Sequence, residues 1–226
     1  MKVNILGVKV DNFTKIEVIQ KAKNFLSDEK QHYIVTPNPE MVVAAQKDKC
    51  FLEILNKADL AVPDGFGLIL ASHFLRHPLL ERVHGIDLMI DICRIAEQKN
   101  CSVFLLGAKF SETKKMGLTS PEETATALRK KFPQLKVSGR ALTQERIDEE
   151  LLKKINLDKP EILFVALGAG WQEKFIAESL KKIPSIKIAM GVGGAFDFIS
   201  GKVKRAPVWM RKIGLEWLWR LFMQPW

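Results

Sequence analysis

An aspartate stands at residue 64 in the run Val62-Pro-Asp-Gly-Phe-Gly67, directly after a short apolar stretch. Pro63 cannot donate to a strand ladder and so ends the strand, while Gly65 and Gly67 free the backbone behind it. A carboxylate at such a strand end can take a proton from a hydroxyl, or it can simply turn the chain, the common use of an Asp-Gly pair. Thr36-Pro-Asn38-Pro-Glu40 has the same address, a strand end opening a helix. Thr36 and Asn38 offer neutral donors and acceptors suited to sugar hydroxyls or a base edge, and Asn38 is equally a helix cap. Arg82, in Glu81-Arg-Val-His-Gly85, precedes another helix. Its planar fork can chelate phosphate oxygens, although an exposed surface arginine is the default.

Glycines supply a second kind of chemistry. Gly191-Val-Gly193-Gly194-Ala-Phe196 follows an apolar run, and Gly107 and Gly168 close two others. Loops of this kind let backbone amides approach a phosphate, or they serve only as turns. The dinucleotide fingerprint fails, because Phe196 replaces the last small residue of G-x-G-x-x-G, and no G-x-x-x-x-G-K-[ST] occurs. No D-x-D triplet is present either, the arrangement that holds a divalent ion on the diphosphate of many nucleotide sugars. The expectation is a site without metal or cofactor, where side-chain cations meet the charge of a leaving diphosphate. Arg82, Lys202, Lys204, Arg205, Arg211 and Arg220 are the candidates. His73 and His77 are four apart, but Pro78 ends the helix that would let both share a metal.

These groups need a scaffold, and the alternation of β-branched runs with helical periodicity describes one. Strands are predicted at residues 3–8, 32–36, 59–62, 101–106, 136–138, 161–167 and 187–190, with helices between them. Thr14-Lys-Ile-Glu17 and Ser120-Pro-Glu-Glu123 read as capping boxes, and Asn38 as a cap before Pro39. The fold expected is α/β, Rossmann-like, with a mainly parallel sheet, helices on both faces, and ligands beyond the carboxyl ends of the strands. Composition changes near Lys202. Residues 1–201 read as an α/β core and 202–226 as a basic, Trp-rich appendage holding four of the five tryptophans. There Lys212, Glu216 and Arg220, spaced four apart, form one polar seam on an otherwise apolar helix. Such a helix suits a membrane interface, or packs on the core or a neighbouring subunit.

With 226 residues, 47% of them apolar, the chain can bury a full core. Its net charge of +9 points to nucleic acid, a membrane surface or a phosphorylated ligand. Basic residues are dispersed rather than striped on one element and no nucleic-acid motif is present, so nucleic acid is not expected. Three cysteines without a C-x-x-C pair suggest a reducing compartment. No signal-like stretch or membrane-spanning run is visible, so a cytoplasmic or peripheral protein is expected.

Taken in order, TPNPE at 36–40, PDGFG at 63–67, ERVHGIDL at 81–88, ALGAGWQEKF at 166–175, GVGGAFDFISGKVKRAP at 191–207 and LEWLWRL at 215–221 resemble the WecG/TagA/CpsF family of bacterial glycosyltransferases. The resemblance covers essentially the whole chain. It implies a metal-independent enzyme moving N-acetylmannosamine, or a related sugar, from a UDP-sugar donor to N-acetylglucosamine on undecaprenyl diphosphate, for teichoic acid or another surface polymer. By motif, Asp64 would be the catalytic base, Thr36 and Asn38 would line the sugar site, and Arg82 and Gln172 would bind substrate. The tail would dock on the body, bring Arg220 over the site and meet the inner face of the cell membrane; a homo-oligomer is also implied. Two segments depart from the pattern. The family's G-x-P-x-Q-E loop reads Gly168-Ala-Gly-Trp-Gln-Glu173, and its Glu-Pro tail, followed by further arginines, reads Gln224-Pro-Trp226; either the tail is cut short after Trp226, or phosphate neutralisation relies more heavily on Arg211 and Arg220. Residues 109–119 look like an insertion. The rival readings are a non-catalytic membrane-surface or anion-binding α/β module, and a nucleotide-sugar oxidoreductase or epimerase, the latter weakened by the missing fingerprint.

Overall fold

The computed structural model describes residues 1–108, 121–142 and 149–223. The proposed insertion and Ser120 of the second capping box lie outside these residues. The chain opens with an antiparallel hairpin, β1 (Lys2–Ile5) and β2 (Val8–Asp11). A single strand was expected over residues 3–8. Leu6 and Gly7 both adopt positive φ, 49° and 85°, which is the backbone of a two-residue hairpin turn, and Leu at the first position conceals it from sequence.

The main sheet has six parallel strands in the order β4-β3-β8-β7-β5-β6. They are β3 (His32–Val35), β4 (Leu60–Ala61), β5 (Ser102–Ala108), β6 (Lys136–Leu142), β7 (Ile162–Ala166) and β8 (Ile188–Gly191). Alternate side chains serve opposite layers. Phe104, Leu106, Leu163, Val165 and Ala189 enter one core with the hairpin. Val103, Leu105, Phe164, Ile188 and Met190 enter the other. The first layer holds α2 (Pro39–Ala45), α3 (Lys49–Lys57), α4 (Phe66–Phe74), α7 (Glu149–Asp158) and α8 (Trp171–Ser179). The second holds α1 (Lys15–Phe25), α5 (Gly85–Lys99), α6 (Pro121–Lys131) and α9 (Ala195–Ile199). The α/β class and the two helical layers are as expected. Helix α4 ends at Phe74, so His77 is not on the same helix as His73.

Local chemistry explains several helix starts. Thr14 and Glu17 form the reciprocal capping box on α1, and Asn38 Oδ1 accepts from the Met41 amide at 2.8 Å with Pro39 opening α2. Two helices follow the body, α10 (Val208–Lys212) and α11 (Glu216–Met223). The single amphipathic helix expected here is broken at Gly214, whose φ of +83° belongs to neither helix. Lys212 and Glu216 therefore lie on different helices, and the side chains of Lys212 and Arg220 lie outside the described residues. No described helix is long and apolar enough to cross a membrane.

Gly107 was expected in a phosphate loop, but it is a buried strand residue, paired with Ala141 and Ala166. A Cβ there would stand 2.8 Å from Pro121 Cγ, so glycine lets the first turn of α6 lie against the sheet. Gly107→Val should destabilise the fold by about 1–3 kcal/mol, measured by urea unfolding. Parental stability would mean that α6 can move off β5 freely.

Candidate active site

Two strand ends and one helix start meet around Asp64. The Asp64 amide donates to the Pro37 carbonyl at 2.8 Å, which ties the segment after β4 to the segment after β3. The side chain does not turn back on its own loop. Its Oδ2 accepts from the amide of Gly85 at 3.0 Å, the first residue of the 15-residue helix α5. This places the carboxylate at the positive end of a helix dipole. A methyl group on Gly85 would stand 3.2 Å from Asp64 Oδ2 and 3.3 Å from Thr36 Oγ1, so Thr36 belongs to the same cluster. Asn38 adjoins it, its Cβ 3.7 Å from a Cβ built on Gly65. The Asn38 oxygen is committed to capping α2, while its amide nitrogen donates to none of the described residues. A half-buried carboxylate, a hydroxyl and an amide thus share the carboxyl edge of the sheet, where proton transfer to or from a bound hydroxyl is feasible.

Beside β3, the end of β8 carries the second group. Gln172 is buried at the start of α8, and its Oε1 accepts from the Gly193 amide at 3.0 Å. That amide is therefore engaged within the protein, contrary to the expectation that it faces a phosphate. Gly191 is the last residue of β8, and a Cβ on it would stand 2.7 Å from both Gln172 Nε2 and Glu173 Oε1. Its role here is to make room for two side chains. Gly168 and Gly194 are exposed, with open space where a Cβ would lie, and they keep the geometry of an approachable loop. The loop's departure from G-x-P-x-Q-E has a clear physical consequence. Gly170 takes φ +88°, which proline cannot adopt, and its amide donates to Glu173 Oε2 at 2.6 Å.

The tail approaches the same edge. Arg82 Nη2 donates to the Arg211 carbonyl, and Arg211 Nε donates to the Ala206 carbonyl at 3.0 Å. A Cβ on Gly214 would overlap the Phe66 ring, so the break between α10 and α11 rests on the first residue of α4, two residues after Asp64. Two of the expected phosphate cations are engaged elsewhere. Lys202 pairs with Glu123 at 2.6 Å, and Arg205 lies between Asp87 and Glu216. Burial alone would raise the Asp87 carboxyl, but the hydrogen bonds and charge of Arg205 outweigh it and hold the group below its ordinary range. Arg82 and Arg211 have no carboxylate partner among the described residues. Arg220 lies on α11, with its side chain outside the described residues.

The Glycosyl transferase WecG/TagA/CpsF family model matches residues 3–226. The chain belongs to this family. Among its relatives is an N-acetylglucosaminyldiphosphoundecaprenol N-acetyl-beta-D-mannosaminyltransferase of Staphylococcus aureus strain MRSA252, 37% identical over 221 residues, which are 97% of this chain and 84% of that protein. The protein of that name from strain MW2 is 36% identical over 224 residues, 98% of this chain and 85% of its own. This WecG/TagA/CpsF chain is accordingly a glycosyltransferase.

Sequence reasoning located the strand-end residues but missed His84 and Glu216. His84 Nδ1 lies 3.6 Å from Asp64 Oδ1 and 3.3 Å from Glu216 Oε2. His84 sits inside the ERVHGIDL block beside Arg82, and that adjacency is the signal that could have raised it. Glu216 was assigned to a polar seam and is instead buried.

Glu173 supplies a test of the local packing. Burial pushes its carboxyl above the ordinary 4.5, and hydrogen bonds from Gln172 and Gly170 offset this only in part. A raised carboxyl holds its proton more tightly when folded. It therefore favours the fold fully below its unfolded value, and that contribution is lost as pH rises through the raised value. Glu173→Gln cannot ionise and should flatten this part of the stability–pH curve in urea titrations from about pH 4 to about pH 8. An unchanged slope would show that Glu173 titrates alike in both states.

Proposed function

We propose that the enzyme transfers N-acetylmannosamine, or a close relative, from a UDP-sugar to N-acetylglucosamine carried on undecaprenyl diphosphate, building a teichoic acid-like or other surface polymer. The observation that carries this reading is the match, along 97–98% of the chain, to relatives named for that acceptor and that sugar. The geometry around Asp64 supports the chemistry. An α-linked donor giving the β-linked product needs one in-line displacement. The acceptor oxygen attacks the anomeric carbon, its proton passes to Asp64, and the bond to UDP breaks with both electrons leaving on the diphosphate. A base so placed contributes about 10²–10⁴ in rate. Thr36 and the Asn38 amide nitrogen face sugar hydroxyls, Gln172 braces the neighbouring loop, and Gly168 and Gly194 offer amides to the nucleotide. Arg82, Arg211 and Arg220 supply positive charge for the leaving diphosphate in place of a metal.

Residues 202–226 act in this reading as an appendage that covers the 1–201 body and meets the cytoplasmic face of the membrane. Phe66, Leu70 and Phe74 are exposed at four-residue spacing along α4, and Trp209, Ile213 and Trp217 are exposed on the tail. Gly214 lies against Phe66, and in this reading the two sets form one apolar surface. Aromatic and basic residues together suit an anionic bilayer interface.

Two measurements test the proposal. UDP release from a panel of UDP-sugars, with a short-chain lipid-diphosphate N-acetylglucosamine acceptor, should be greatest with UDP-N-acetylmannosamine or a near relative and should persist in excess EDTA. Absence of transfer with every donor removes the assignment, and loss of turnover in EDTA restored by magnesium or manganese removes the arginine account. Separately, the Phe74→Glu and Trp217→Glu double variant should lose co-sedimentation with anionic phospholipid vesicles while melting as the parent does. Parental vesicle binding would contradict the apolar surface.

A further inference from the structure

We propose that His84 and Glu216 are positioning residues for Asp64, so that helix α11 sets the geometry of the base. This rests on the reading of Asp64 as the base. The Asp64 carboxylate has two differently held oxygens. Oδ2 takes the Gly85 amide at 3.0 Å, and Oδ1 faces His84 Nδ1 at 3.6 Å. The same Nδ1 lies 3.3 Å from Glu216 Oε2, and the other Glu216 oxygen accepts from Arg205 Nε at 2.9 Å. The Arg205 fork then grips both oxygens of Asp87, at 2.5 and 3.1 Å. Asp87 lies in the first turn of α5, the helix whose first amide holds Asp64. The path Asp64, His84, Glu216, Arg205, Asp87 therefore ends on α5, the helix whose first amide holds Asp64, and only Glu216 and Arg205 come from beyond residue 201.

Burial makes this path consequential. The side chains of His84, Glu216 and Arg205 are 18%, 12% and 19% exposed, so the Glu216–Arg205 pair is screened less than a surface pair. The His84 backbone is fixed as the residue before α5, its carbonyl accepting from the Leu88 amide at 3.0 Å. Only the ring can turn, and among the described residues its charged neighbours within ion-pair reach are Asp64 and Glu216. Removing Glu216 frees the imidazole to rotate and leaves Oδ1 of Asp64 without a fixed neighbour. An undocked tail does the same, which makes proton abstraction depend on closure of the appendage.

The test uses the full chain with UDP-N-acetylmannosamine and the short-chain acceptor. His84→Ala and Glu216→Gln should each lower kcat about tenfold, a part of the about 10²–10⁴ a general base supplies, with the donor KM nearly unchanged. His84→Asn, whose amide nitrogen can stand near the place of Nδ1, should recover most of the loss. The double variant His84→Ala/Glu216→Gln should be no slower than the slower single, because both act through one path. Tail docking, read by tryptophan emission, should stay parental in His84→Ala. Losses that multiply, a change in KM alone, or parental kcat in both single variants would overturn the proposal. Asp64→Asn separates the two claims. If it is inactive while the His84 and Glu216 variants run at parental kcat, the coupling fails and the base stands; if it too runs at parental kcat, the base reading itself fails.

Discussion

The hydrogen bond from the Gly85 amide to Asp64 is the contact on which the site depends. It joins the end of a two-residue strand to the start of a long helix, and neither element alone could hold a side chain in place. Strand β4 is short because Pro63 stops it, and the chain then needs another anchor. The Pro37 carbonyl and the α5 amide provide that anchor on either side of Asp64. Gly85 is required by the same geometry, since any side chain there would press on Asp64 and Thr36. A carboxylate in this position is preorganised before any ligand arrives, the condition under which a general base is effective.

The rest of the molecule arranges itself around that contact in two layers. The sheet brings the Gln172 loop beside the Asp64 segment because β8 is the immediate neighbour of β3. The tail arrives through Gly214 on Phe66 and through Arg205, which ties Glu216 to Asp87. Two carboxylates share one guanidinium there, an arrangement stable when half-buried and vulnerable to loss of either partner. The tail is thus held by charge on one side and by apolar contact on the other.

Much of this was legible from residue patterns. The alternation of strands and helices carries the α/β class, because a strand buried on both faces must be apolar throughout. Caps at Thr14 and Asn38 are legible because their chemistry is local. Asp64, Thr36 and Asn38 could be placed at one edge once the strands were assigned. What was not legible depends on distant chain segments. Gly107 and Gly191 look like loop glycines, yet they make room for Pro121 and for the Gln172–Glu173 pair. The hairpin at Leu6-Gly7 lacks the usual Asn-Gly signal, and the tail break at Gly214 is set by its packing on Phe66. The His84–Glu216 pair spans most of the chain, so no local spacing reveals it.

The most direct measurement compares Asp64→Asn with the parent for donor affinity and turnover in the same preparation. Asparagine keeps the size of the side chain and an oxygen for the Gly85 amide, so fold, melting temperature and calorimetric donor binding should match the parent. An amide has no useful affinity for the acceptor's proton, so turnover should fall by roughly 10²-fold or more. A folded variant that binds donor and turns over at near-parental rate would contradict the account, reduce Asp64 to a helix-start ligand, and leave the base to be found elsewhere on the carboxyl edge of the sheet.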